Sequence, residues 1–361
     1  MRLAIIGASA RAAAFSALAA GYEVVAADLF ADSDLAARCP ASKLSSPGEF
    51  VQWLAEQQID GWLATGAWEN YPEAVQQMIK LRPMLGCSPQ AMRMAKDPQH
   101  LASLLAAGGV AFPEIAFTPP NKTGWLVKAM NSAGGLGVDD WQPGSEPPKH
   151  GYWQRKIEGT PISATYVAAG GRAVLLGATE QLIDRPWTRS DPYHYAGSVG
   201  PFEVPGEGTL TAQLMQTGEL LTKDLGLVGL FGVDFVLDPH GTAWAVDVNP
   251  RYTASMEVVE RFTGASMVAV HVAASMQGVL PNSAAKPSGF AGKAYLFAER
   301  EVTFRVPPNL HLADIPFEEE VIPRGYPICT LLATAEKYAG VEQRLRQDAQ
   351  HLESWLFSDE V

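Results

Sequence analysis

The 361-residue sequence is poor in cysteine, histidine and basic charge, and it has no long apolar run. Its three cysteines, Cys39, Cys87 and Cys329, are odd in number and show no CxxC spacing, which suits reduced structural thiols rather than a disulfide framework. The seven histidines are scattered, with neither HExxH nor a Cys/His cluster, so zinc chemistry has no ligand set. Lys and Arg number 27 against 39 Asp and Glu, a formal net charge of −12. That balance argues against nucleic acid as the principal partner, because phosphate-backbone binding draws on clustered basic residues. No stretch of 18 or more apolar residues is present, which excludes a membrane-spanning helix. A GxSxG nucleophile elbow, a Walker A run, internal repeats and low-complexity tracts are also missing. At 47% hydrophobic, the chain can bury a sizeable core over two or three domains. These traits fit a cytoplasmic enzyme.

The first 21 residues superficially resemble a secretory signal, but Gly7 and Arg11 interrupt the apolar run and a second strand follows at Tyr22–Asp28. Strand, Gly-x-Ser-x-Arg turn, alanine-rich helix, strand and terminal Asp form a β-α-β unit. Only one glycine of the dinucleotide fingerprint is there, so an NAD site resting on Asp28 is weakly supported. Ser9 and Arg11 lie at a helix N-terminus, where an anionic substrate group would be well received. Glu69, in the turn after a strand near residues 60–64, would crown the same sheet edge. Each of these residues reads equally well as an ordinary loop or cap residue.

The strongest signal lies at residues 228–251. Two apolar strands joined by an Asp-Pro-His-Gly turn read as a hairpin, with Asp234 expected opposite Ala245 and with Asp247 and Asn249 further along the same face. Three oxygen-bearing side chains can then converge, a donor set that suits Mg²⁺ completed by phosphate oxygens and water. Arg251 follows at once, placed to hold an anion. Alternating polar residues are also what a plain solvent-facing strand shows. Upstream, Trp125–Lys128 reads as a strand, followed by a loop containing Ser132, Gly134, Gly135 and Gly137. Glycines let backbone N–H groups approach phosphate oxygens, and a lysine at the strand end adds a point charge. A flexible hairpin loop is the alternative. Residues 152–159 read as a strand running into a polar turn that could offer backbone groups to an adenine edge.

In this order and spacing the three pieces resemble the ATP-grasp superfamily, and most of all its predicted ATP-dependent carboxylate–amine ligases. Some of those are suspected to add amino acids to one-carbon carrier cofactors. The resemblance implies an α/β chain with a Rossmann-like pre-ATP-grasp domain at 1–88, ATP-grasp lobes with a helical connector at 89–280, and C-terminal strands and a helix packing on that core at 281–361. It implies that Lys128 and the glycine loop contact ATP phosphates, and that Gln154, Arg155, Lys156 and Ile157 line the adenine pocket. Asp234, Asp247 and Asn249 would hold one or two Mg²⁺ ions, and Arg251 would face the transferred phosphoryl group. Two departures stand out. The superfamily's second metal ligand is usually glutamate where this chain has Asp247, and the earlier phosphate lysine has only Lys96 as a candidate, about a residue out of register. The implied partners are a small-molecule carboxylate and an amine, with a homodimer as a superfamily habit. A carboxylase-type enzyme using bicarbonate and a nucleotide-binding regulator without turnover are the alternatives; the chain itself carries no biotin-attachment Met-Lys-Met segment.

The remaining expectations are coarse. Helices are expected near 209–224, 264–277 and 341–357, and strands at 291–304 and 328–333. The loop Asp184–Tyr195 is rich in aromatic and charged residues, and Arg185 there is a candidate contact for a carboxylate-bearing substrate; a surface loop stabilised by local turns is the alternative.

Overall fold

The computed structural model describes residues 1–146, 148–202 and 208–357. A parallel four-stranded sheet runs in the order Ala41–Lys43, Glu23–Asp28, Arg2–Ile6, Gly61–Ala64. Its central strands are buried on both faces: Ala4, Ile6 and Val25 enter one apolar cluster, Leu3, Ile5 and Val24 another. Continuous apolar strands are what a sheet covered on both sides requires. The loop after the first strand is tightly packed, since a Cβ on Gly7 would sit 1.8 Å from the Thr65 carbonyl oxygen. Asp28 accepts hydrogen bonds from the N–H groups of Ala10, Phe30 and Ala31. Neither an opening for a pyrophosphate nor a free carboxylate for a ribose remains, so the dinucleotide reading finds no site in this unit.

The connector expected as one helical stretch divides into Pro89–Ala95 and Pro98–Ala107. Asp97-Pro98 causes the break: a residue before proline is pushed out of the helical region, and Asp97 instead caps the second helix through the N–H groups of Gln99 and His100. Lys96 sits at the resulting corner.

A larger antiparallel sheet of eight strands follows the order Ala243–Asn249, Gly229–Leu237, Thr160–Ala169, Arg172–Gln181, Gly197–Gly200, Phe290–Phe297, Pro327–Ala335, Leu312–Ala313. The strand expected over 291–304 ends at Phe297, where the exposed run Glu299-Arg300-Glu301 carries the chain out of the sheet. Val302–Thr303 then pairs with Val321–Ile322. The helix Tyr338–Leu356 buries Val341, Leu345, Ala349, Leu352 and Leu356 against the sheet, one stripe at helical spacing. A second, four-stranded sheet, in the order Ile115–Ala116, Gly151–Arg155, Trp125–Ala129, Val138–Asp140, has a small core of Trp125, Trp141 and Trp153. Among the described residues no helix is long and apolar enough to cross a membrane.

His271 pins the parallel unit to the large sheet. Its Nδ1 accepts from the Leu230 N–H at 2.9 Å, so Nε2 carries the proton that faces the Leu85 carbonyl at 3.1 Å. Burial lowers its pKa to about 4. A histidine neutral in the fold and free to charge when unfolded stabilises fully above its unfolded pKa near 6.5, and the contribution is lost as pH falls towards 4. The loss should reach about 3 kcal/mol. Urea melts between pH 7 and 4.5 should show this slope in the wild type and a flatter one in His271→Gln.

Candidate active site

A cleft of about 700 Å³ lies between the two antiparallel sheets. Its floor is the hairpin Gly229–Leu237 with Ala243–Asn249, closed by Asp238, whose carboxylate accepts from the His240 and Thr242 N–H groups and the Trp244 indole. The register differs from the expected one. Phe235 pairs with Ala245, but Asp234 pairs directly with Asp247, because Val246 is an extra residue in a β-bulge. The bulge brings the two carboxylates face to face and leaves the Val246 carbonyl off the ladder, where Lys128 Nζ donates to it at 3.1 Å.

The two carboxylates are tuned apart. Burial and the neighbouring Asp247 push Asp234 up to about 6. Burial would also raise Asp247, but Lys96 and Lys128 outweigh it and hold this carboxyl below the usual range. Lys96 Nζ lies 2.8 and 2.9 Å from the two Asp247 oxygens and 3.5 Å from Asn249 Oδ1. Asn249 donates to Asp234 at 3.0 Å, and Gln181 Nε2 donates to the other Asp234 oxygen at 3.0 Å. Burial would lower Lys128, but Tyr152 and Asp247 overcome it and the pKa is raised. Arg251 Nε is gripped by Glu69 at 3.0 and 3.1 Å, while its Nη2 donates to Asn249 Oδ1 at 3.1 Å. An isolated bridge between Thr65 and Tyr252 joins the same two segments.

The cleft wall carries the rest. Gly134, Gly135 and Gly137 all have positive φ, at 65°, 84° and 68°. Gly134 and Gly135 face the cleft with Ser132, while Gly137 closes the hairpin through its carbonyl to the Ala129 N–H. Gln154, Arg155, Lys156 and Ile157 also line the cleft, on the strand beside that of Lys128 and just beyond it, and among the described residues the buried Gln154 Nε2 has no partner. Gly135 abuts the Asp184–Tyr195 loop: a Cβ there would sit 1.9 Å from the Tyr193 carbonyl oxygen. Arg185 also lines the cleft, held by Glu180 at 2.7 Å.

Lys128, Ser132, Gly134, Gly135, the 154–157 segment, Asp234, Asp247, Asn249, Arg251 and Arg185 therefore converge on one cleft. Glu69 lies behind it with a fully buried side chain. Ser9 and Arg11 lie elsewhere. Arg11 is 1% exposed and bonded to Glu257 and Asp314, and Ser9 donates to Asp314. Gln181 and Ser163, both against Asp234, carry no motif that would have marked them in the sequence.

The donor set is wholly oxygen: two carboxylates and an amide, with 35% of the Asp247 side chain facing the cleft. Among the described residues no third acidic, His or Cys ligand completes a metal cage. That chemistry fits Mg²⁺, which keeps waters and takes phosphate oxygens as further ligands. The orphan amide of Gln154 fits an acceptor on a base edge.

Residues 95–255 match the family model of the ATP-grasp domain. An uncharacterized protein of Methanocaldococcus jannaschii is 27% identical over 142 residues, 38% of this chain and 33% of the relative, so the match spans about a third of that protein's own length. The structure of a Campylobacter jejuni biotin carboxylase in complex with β-γ-ATP aligns with TM-score 0.75 and 16% identity over 94% of this chain and 89% of the other. An L-amino acid ligase from Bacillus licheniformis aligns with TM-score 0.69 and 14% identity over 97% of each chain. The fold is that of the ATP-grasp proteins. Its central segment thus matches the ATP-grasp domain, and the chain shares the fold of these solved structures.

Proposed function

We propose that this protein is an ATP-dependent carboxylate–amine ligase. The observation that carries the reading is the bulged hairpin, which sets Asp234 opposite Asp247 within reach of Lys96 and beside Arg251. Asp234, Asp247 and Asn249 would hold Mg²⁺, which supplies Lewis-acid stabilisation of the transferring phosphoryl charge. Lys128 and the glycine loop would fix the phosphates, and the 154–157 segment the adenine. Arg251, aimed by Glu69, would neutralise the γ-phosphoryl oxygens. A substrate carboxylate oxygen attacks the γ-phosphorus, the bond to the β-phosphate oxygen breaks and ADP leaves. The amine nitrogen then attacks the acyl carbon, phosphate departs, the nitrogen loses a proton and an amide remains. Positioning and charge stabilisation suffice, and no protein nucleophile is needed. Arg185, on the same cleft, is the side chain we assign to the acceptor's carboxylate-bearing end.

The test is ADP release from Mg-ATP by the purified protein against pools of carboxylates, with and without amines. Turnover that needs both substrates supports the ligase. Turnover with bicarbonate alone would replace it with a carboxylase, and nucleotide binding without turnover under any pool would favour a regulator. Absence of ATP binding would sink the reading.

The glycine loop gives a separate check. Gly135→Ala should weaken ATP binding about tenfold, because the added methyl drives the loop off the Tyr193 carbonyl and the residue is held at a φ of 84°. Gly134→Ala, at a φ of 65° with nothing within 4 Å, should cost less. Titration with a non-hydrolysable analogue compares the two.

A further inference from the structure

We propose that Lys96 is a built-in counterion that covers the metal-binding face of Asp247 until a triphosphate draws it away, so that divalent metal and nucleotide strengthen each other's binding. The inference rests on the assignment of Asp234, Asp247 and Asn249 to the metal. Lys96 and Lys128 are used differently in this cleft. Lys128 donates to a backbone carbonyl and to the Gln154 amide oxygen, and among the described residues no carboxylate contacts it. Lys96 caps both oxygens of Asp247 at 2.8 and 2.9 Å, reaches Asn249 Oδ1 at 3.5 Å and lies 3.9 Å from Glu69. Its ammonium thus takes the same oxygens a metal ion would use.

Charge balance points the same way. Asp234, Asp247 and Glu69 face Lys96, Lys128 and Arg251, three acids against three bases. A divalent ion entering alone adds two positive charges to a balanced set and must also displace the ammonium. With an anionic triphosphate alongside, the added charge is offset and Lys96 gains phosphate oxygens as new partners. The residue is free to change partners, since it sits at the corner between two helices, its flexible stem carries a point charge, and 13% of the side chain is exposed. Whatever favourable coupling nucleotide exerts on metal, metal must exert equally on nucleotide.

The test is Mn²⁺ binding to the full-length protein, followed by the paramagnetic resonance of the free ion. Without nucleotide the wild type should bind Mn²⁺ weakly, and Lys96→Met at least tenfold more tightly. Lys96→Arg, which restores the charge, should behave like the wild type. With a non-hydrolysable ATP analogue the wild type should gain a tight Mn²⁺ site, and the gain on adding analogue should shrink in Lys96→Met. The proposal is overturned if Lys96→Met, shown folded by circular dichroism, binds Mn²⁺ alone no more tightly than the wild type. It is equally overturned if the wild type binds Mn²⁺ as tightly without analogue as with it. Failure of the analogue to bind the wild type at all would instead remove the ATP-dependent reading on which the inference rests.

Discussion

Asp247→Asn should lower ATP turnover by about a thousandfold while moving the unfolding midpoint by no more than a few degrees. The substitution keeps shape and removes one charge from a pair that the Val246 bulge sets face to face. Metal stabilisation of a transferring phosphoryl group is worth several kcal/mol, and about 4 kcal/mol corresponds to a thousandfold in rate. The fold should tolerate the change because two effects oppose each other. Lys96 loses its closest partner, yet Asp234, held at about 6 by burial and by Asp247, loses a repelling neighbour. The Asp247 side chain is also 35% exposed to the cleft, so little packing depends on it. Asp247→Glu, which keeps the charge and adds one methylene, should keep more activity than Asp247→Asn if charge matters more than reach. ADP release together with thermal melts decides the matter. Near-normal turnover in Asp247→Asn would show that this carboxylate does not hold the metal.

The parts of this site legible in the sequence are those whose geometry is local. Alternation along a strand puts Asp247 and Asn249 on one face, and the glycines of the loop announce the positive φ they adopt. The helical stripe from Val341 to Leu356 was readable for the same reason. What could not be read depends on long-range pairing or on a local irregularity without a residue signature. The bulge at Val246 shifted the facing partner of Asp234 from Ala245 to Asp247, and valine gives no hint of it. Lys96 reaches Asp247 across 151 positions and Arg251 reaches Glu69 across 182. The corner at Asp97-Pro98 that presents Lys96 was not read from the sequence, and nothing local says what stands opposite it.

Arg11 is the sharpest case of a residue whose local setting and tertiary setting differ, and Arg11→Met should destabilise the protein by about 3–5 kcal/mol. A position just inside a helix N-terminus suggests a receptor for an external anion. In the fold two internal carboxylates take that place. Arg11 donates bidentately to Glu257 at 2.6 and 2.8 Å, and to Asp314 at 3.0 and 3.1 Å. Glu257 also holds Lys293 at 2.9 Å and Arg261 at 3.2 Å, and Asp314 accepts from Ser9 and Thr330. The cluster ties the first helix to the helix Ser255–Thr263 and to the C-terminal strands. Burial would raise both carboxyls, yet the surrounding cations hold Glu257 well below and Asp314 below the usual range. Removing the guanidinium leaves Asp314, among the described residues, with hydroxyl donors and no contacting cation, and an uncompensated buried charge accounts for the size of the effect. The midpoint should fall by about 5 °C. Arg11→Lys should recover only part of the loss, because an ammonium cannot span both carboxylates as the planar fork does. A double-mutant cycle with Glu257→Gln should show strong coupling between the two sites. Were Arg11 a substrate receptor instead, Arg11→Met would leave the melt unchanged and raise only the KM for the acid.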